Sequence, residues 1–127
     1  MTSKYAALLF SAASGVVALF QFALALGAPW GEFTLGGRWK GTLPAMVRFI
    51  PVFSIVLLGF FCQVVLARAG VQGLVPWEPP HWAAWTVVAY CVLGCIANAA
   101  SPSRRERQLW LPVVSAMLVA STIVALS

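Results

Sequence analysis

Four long apolar runs, separated by polar connections, dominate the hydrophobicity pattern of the chain. Each run reaches the roughly 20 residues that a membrane-spanning α-helix needs. The connections are short, so we expect one transmembrane domain over residues 1–127, with no separate soluble module. The pattern therefore predicts an all-α membrane protein, folded as a four-transmembrane-helix bundle. The helices are expected at about 3–27, 44–67, 82–100 and 105–126.

The connection between the first two runs, residues 27–44, predicts a short interfacial β-hairpin. Phe33–Leu35 and Arg38–Lys40 tolerate strand geometry, and the Gly36-Gly37 pair between them suits a two-residue turn that needs positive φ at both positions. A lone hairpin is marginal in water. We therefore expect aromatic side chains of this connection to rest on the membrane interface, where such rings accumulate. An irregular Gly-rich connector is the alternative.

The first run carries a stripe of small and polar residues at helical spacing. Membrane helices pack through small residues because lipid already solvates large apolar side chains. Gln21 is the strongly polar member, and we expect it to join helices, with a transport site as the alternative. The run exceeds the usual apolar length of a signal peptide, about 7–15 residues, so we expect it to be retained. The stripe consists of Ala7, Ser11, Ser14, Ala18, Gln21 and Ala25.

Local signals mark the starts of the second and fourth helices. Thr42 is a candidate N-cap for the second helix, and Pro51 removes an intrahelical hydrogen bond and is expected to kink it. Ser103 followed by Glu106 fits a capping box, in which each residue satisfies a backbone N–H of the other.

Composition supports the membrane assignment, and charge predicts an orientation. Hydrophobic residues make up 61% of the chain, charged residues only 9%, and the mean hydropathy is +0.91. Six of the eight Lys and Arg residues lie near the first and third connections. The positive-inside rule then places these connections in the cytoplasm and both termini outside. We therefore expect a multi-pass membrane protein with this orientation.

The basic connections also predict a lipid-binding or partner-binding face. Three arginines open the fourth helix, where positive charge opposes the helix dipole. Anionic lipid headgroups are the simplest reason for their position. An acidic segment of a protein partner is the alternative. The residues assigned to this face are Arg38, Trp39, Lys40, Arg48, Arg104, Arg105 and Arg107.

Residues for catalysis or cofactor binding are sparse. The three acidic residues are all Glu, and none lies inside a predicted span except where the fourth begins. One His beside one Glu gives too few ligands for a usual zinc site. We predict no catalytic residue, metal, cofactor or nucleic-acid partner. A possible polar site consists of Gln21, Glu32, Glu78, His81 and Asn98.

Two segments resemble small bacterial four-helix inner-membrane proteins of unassigned function. They are Gly-Ala-Pro-Trp-Gly with Gly36-Gly37 and Leu43-Pro44, and Ser-Pro-Ser-Arg-Arg-Glu-Arg before the fourth helix. The resemblance covers the whole chain. It implies a fold and a bacterial inner membrane, and it implies no activity.

Three functions are consistent with these patterns. The leading hypothesis is a non-catalytic accessory or scaffold protein that binds lipid or a larger membrane partner. The second is a transporter or channel for a small solute or ion, assembled from several copies. The third is a membrane enzyme acting on an amphipathic substrate, with Glu78 and His81 as acid and base. A ligand-sized cavity reaching Glu32 or His81 would favour the enzyme.

The orientation is testable by cysteine labelling of an Arg38→Cys variant. We expect a membrane-impermeant maleimide to leave position 38 unlabelled in intact cells and to label it after the membrane is opened. A cysteine at position 127 is the control, and we expect it to react from outside. Labelling of position 38 from outside only would contradict the orientation.

Overall fold

The computed structural model describes residues 2–71 and 78–127, and its architecture is a bundle of four α-helices. Each helix is long and apolar enough to cross a membrane. Three short 3-10 turns lie between the first two helices. The helices are α1 (Ser3–Leu26), α2 (Phe49–Arg68), α3 (His81–Ala99) and α4 (Arg104–Leu126). The 3-10 turns span Gly31–Phe33, Leu35–Gly37 and Ala45–Val47.

The predicted β-hairpin between α1 and α2 is wrong, because the described residues contain no β-strand. Gly36 and Gly37 do adopt positive φ angles, of 72° and 73°. They sit in consecutive 3-10 turns instead of between two strands. The Gly37 N–H bonds the carbonyl of Thr34, and the Thr34 N–H bonds that of Gly31. These local bonds use groups that a hairpin ladder would have needed.

The start of α2 also differs from the expectation. A 3-10 turn covers residues 45–47, and the α-helix begins only at Phe49. Pro51 therefore lies in the first helical turn, where backbone N–H groups have no intrahelical acceptor in any case. It breaks no α-helical bond to Val47. The Thr42 hydroxyl donates to the carbonyl of Gly27, so Thr42 closes the end of α1 and does not cap α2.

The bundle packs α1 against α2 and α4, and α3 against α4, while α2 and α3 meet over a smaller area. Its core combines small residues with a few large ones. Ala7 and Ser14 of the α1 stripe are buried, and Ala18, Gln21 and Ala25 are partly buried. Small side chains let the helix backbones approach closely. The fully buried large side chains include Phe10, Leu24, Val64, Val65, Val87 and Val124.

Many large apolar side chains point outward from the bundle. Leu19 and Leu26 are each 71% exposed, and Phe53 is 64% exposed. Such a surface would be a liability in water. It suits contact with lipid tails, so the arrangement agrees with a multi-pass membrane protein.

Two neighbouring residues of α4 test this packing. Ala120 is fully buried, whereas Val119 is 59% exposed. We expect Ala120→Phe to cost about 1–3 kcal/mol through overpacking. Val119→Phe should change stability by less than about 0.5 kcal/mol, because it adds apolar surface where lipid lies. Unfolding midpoints in detergent micelles measure both, and equal effects would contradict the assignment of the two faces.

Candidate functional site

The segment from Ala28 to Leu43, here called loop 1, docks on the cap and the first two turns of α4. The Ser103 hydroxyl donates to the carbonyl of Glu32 at 2.5 Å. The indole N–H of Trp110 donates to the carbonyl of Phe33 at 2.9 Å. These bonds satisfy loop 1 carbonyls that lack a strand partner, which matters because unpaired backbone groups are costly near hydrocarbon.

Ser103 and Glu106 form only half of the predicted capping box. The Ser103 hydroxyl accepts from the backbone N–H of Glu106 at 3.2 Å, as a helix cap should. The Glu106 carboxylate does not return to Ser103. It accepts instead from the backbone N–H of Gly36 at 3.1 Å, so it holds loop 1 as well as the helix start.

Loop 1 covers one end of a half-open cavity of about 450 Å³, which all four helices line. We call it the bundle cavity. Gln21 of α1, Asn98 of α3 and Glu106 of α4 line it at the end nearest loop 1. Leu58 and Met117 line it further along the helices. One end of the bundle cavity is therefore polar and the other is apolar.

A second, shallower pocket of about 350 Å³ lies on the outer side of loop 1. We call it the basic pocket, after the charged residues that line it. Arg105 forms an ion pair with Glu32 at 3.4 Å, and its guanidinium lies 5.8 Å from the Phe33 ring centre. Three cations and one carboxylate therefore share this small surface. They are Lys40, Arg104, Arg105 and Glu32.

The other predicted basic residues have local structural roles. Arg48 donates from Nε to the carbonyl of Leu43 and stands over Gly27, at the negative end of the α1 dipole. Arg107 donates to the carbonyl of Ser101. The Arg38 guanidinium lies 4.9 Å from the ring centre of Trp39. These three residues therefore stand outside the basic pocket.

The predicted polar site divides into three separate parts. Gln21 and Asn98 both line the bundle cavity, Glu32 lines the basic pocket, and Glu78 is exposed. The His81 ring is paired with Arg68, with 2.8 Å between Nδ1 and the guanidinium. Within the described ranges, no group of three or more His, Cys, Asp or Glu is placed to hold a metal ion.

Sequence reasoning assigned different roles to two residues that organise this end of the bundle, since it took Glu106 for a cap and Trp110 for an interfacial anchor. Glu106 appeared only as a capping residue, although it is 8% exposed and lines the bundle cavity. Trp110 is buried and holds loop 1. A glutamate close to the start of an apolar span was the available signal, because membrane proteins rarely bury such a group without a purpose.

No protein-family model matches the chain, and no curated protein or solved structure is significantly similar to it. The class that the fold and the two pockets define is a helical multi-pass membrane protein with a ligand-sized, half-open cavity.

Gly31 provides a test of the docked loop. A Cβ atom there would lie 2.0 Å from the Trp39 carbonyl oxygen and 2.6 Å from that of Gly41. We expect Gly31→Ala to open loop 1, because backbone atoms cannot move aside cheaply. Faster amide hydrogen exchange across residues 31–41 would report the opening.

Gly59→Ala is the matched control, because a Cβ at Gly59 meets nothing within 4 Å. Replacing a helical Gly with Ala is favourable by up to about 1 kcal/mol. Loop 1 exchange in this variant should equal that of the parent. An unchanged exchange rate in Gly31→Ala would show that loop 1 is not held as described.

Proposed function

We propose that the chain is a non-catalytic accessory or scaffold protein of the membrane that holds the anionic headgroup of a lipid in its basic pocket. The observation that carries the proposal is the clustering of Lys40, Arg104 and Arg105 around one small concavity. Glu32 offsets one of these charges by pairing with Arg105. Within the described ranges no carboxylate lies within 4 Å of Lys40 or Arg104.

The position of the pocket suits a phosphate-bearing headgroup. It lies at the loop end of the bundle, where α4 begins, and a helix N-terminus favours negative charge. Arginine presents a planar fork of N–H donors that matches phosphate oxygens. Each basic residue near an anionic leaflet contributes about 1 kcal/mol. A headgroup would also relieve the unfavourable placement of Arg104 and Arg105 at the positive end of α4.

Aromatic side chains help to set the depth of the pocket. Trp30 is 43% exposed and Trp39 is partly exposed. Both lie in loop 1, and Trp rings favour the interface between headgroups and hydrocarbon. Trp110 does not act in this way, because it is buried against loop 1.

The surroundings of the protein are part of the same proposal. Six basic residues near the first and third connections, against two elsewhere, support a cytoplasmic location for loop 1. A bacterial inner membrane rests on the resemblance described above. A larger membrane partner or a second copy of the chain is the remaining proposed partner.

The geometry supports the enzyme hypothesis less well. Glu32 does line the basic pocket, but its carboxylate is paired with Arg105. Glu78 and His81, the acid and base of that hypothesis, line neither the bundle cavity nor the basic pocket. Arg68 also occupies one of the two ring nitrogens of His81.

Native mass spectrometry in mixed micelles tests lipid retention. We expect Arg104→Gln to retain several-fold less phosphatidylglycerol than the parent, with unchanged retention of zwitterionic phosphatidylethanolamine. Arg38→Gln is the matched control, since it removes the same charge from the same end of the bundle but outside the basic pocket. It should retain phosphatidylglycerol as the parent does.

The comparison separates a specific pocket from diffuse positive charge. Equal losses in the two variants would assign lipid binding to net charge alone and would contradict the pocket. Full retention of phosphatidylglycerol by Arg104→Gln would also contradict the pocket. A Lys40→Gln/Arg104→Gln double variant should lose more than either single change, and its remaining retention should be the least sensitive to added salt, because it has the fewest cations for salt to screen.

A further inference from the structure

The bundle cavity combines a buried carboxylate with a volume suited to a small organic molecule. Its volume of about 450 Å³ lies within the usual range for ligand pockets, about 300–1,000 Å³. Glu106 and Met117 both line it and are eleven positions apart on α4. At 1.5 Å of rise per residue, the cavity extends about 16 Å along the helix.

Glu106 lacks a cationic partner within the described part of the chain. Glu106 is only 8% exposed. No Lys, Arg or His nitrogen of the described residues lies within 4 Å of its carboxylate. The N–H of Gly36 and the start of α4 stabilise the carboxylate only in part. A buried carboxylate of this kind favours a positively charged ligand, because the ligand replaces the water that the carboxylate has lost.

Aromatic rings line the same cavity. Phe33, Tyr90 and Trp110 contribute to its walls. Trp110 is fixed by its bond to loop 1 and by an edge contact with Phe20, with ring centres 4.7 Å apart. Tyr90 contacts Phe61, with ring centres 4.8 Å apart. Aromatic faces attract organic cations, including quaternary ammonium groups.

Uncharged polar groups complete the polar end. The Asn98 amide donates to the carbonyl of Gly94 at 2.7 Å, which orients its side chain. Gln21 also lines the cavity, and its side chain makes no hydrogen bond to any described residue, although the sequence predicted that it would join helices. Both side chains can bind the polar end of a guest without adding a competing charge.

We propose that the bundle cavity binds a hydrophobic organic cation, with its charge near Glu106 and its apolar groups toward Leu58 and Met117. This site is distinct from the basic pocket, which selects the opposite charge on the other side of loop 1. Its existence does not depend on lipid binding there.

Two probes of the same shape and opposite charge test the proposal. Tetraphenylphosphonium is a cation and tetraphenylborate is an anion. Equilibrium dialysis of the purified protein in micelles, with empty micelles subtracted, measures the binding of each. We expect saturable binding of the cation at one site per chain and none of the anion. Saturable binding of both, or of neither, would overturn the proposal.

Two matched variants locate the site. Glu106→Gln keeps the size of the side chain and an oxygen that accepts from Gly36, and it should weaken binding of the cation at least tenfold. Glu32→Gln removes a carboxylate from the outer side of loop 1 and should bind as the parent does. Equal affinities in the two variants would contradict a role for Glu106.

A third variant tests the cavity without changing Glu106, in case Glu106→Gln loses binding because it disturbs the fold. Ser54 lines the cavity from α2, so Ser54→Phe reduces the volume while leaving Glu106 and the Ser103 cap of α4 unchanged in sequence. We expect it to abolish binding while the unfolding midpoint stays close to that of the parent. Parental affinity in Ser54→Phe would place the cation elsewhere and overturn the proposal.

Discussion

Backbone hydrogen bonding in loop 1 is the constraint on which this end of the protein depends. A segment beside the hydrocarbon layer cannot leave its carbonyl and N–H groups unpaired, and loop 1 has no strand partner for them. Side chains of α4 take that place: Ser103 and Trp110 donate to carbonyls, and Glu106 accepts from a backbone N–H. Each bond joins residues at least 70 positions apart, so this conformation of loop 1 depends on α4 being packed beside it.

The docked loop also separates two electrostatic environments. Its inner side closes the bundle cavity, where Glu106 is the charged residue, and its outer side forms the basic pocket. The two environments can be separated by a single loop because the backbone of loop 1 lies very close to the start of α4. A Cβ at Gly37 would lie 2.9 Å from that of Ser103, and the positive φ of Gly37 favours glycine independently. Opposite charges can thus lie on the two sides of a thin backbone wall without forming an ion pair.

The cavity has an equally simple origin in the choice of side chains. Its walls on α3 include Gly94 and Ala97, and Ser54 faces it from α2. α2 and α3 both line the cavity and make less contact with each other than α1 makes with α2 or α4, or α3 with α4. In most membrane bundles small residues allow helices to approach closely. Gly94 follows this rule, since a Cβ there would lie 3.2 Å from Cγ1 of Val114 on α4, whereas the small side chains of Ser54 and Ala97 leave space at the cavity wall.

The apolar runs alone determined that the chain forms four helices able to span a membrane, and Ser103 was recognisable as the cap of α4. These features depend on local composition and spacing. The tertiary structure decided the conformation of loop 1. Gly36 and Gly37 permit positive φ in a hairpin and in 3-10 turns alike, and two three-residue strands are too short to outweigh hydrogen bonds from α4. It also decided that Gln21, Asn98 and Glu106 share one cavity, while His81 pairs with Arg68. Which residues come close together in this way depends on how separate helices pack, and no local pattern in the chain encodes that packing.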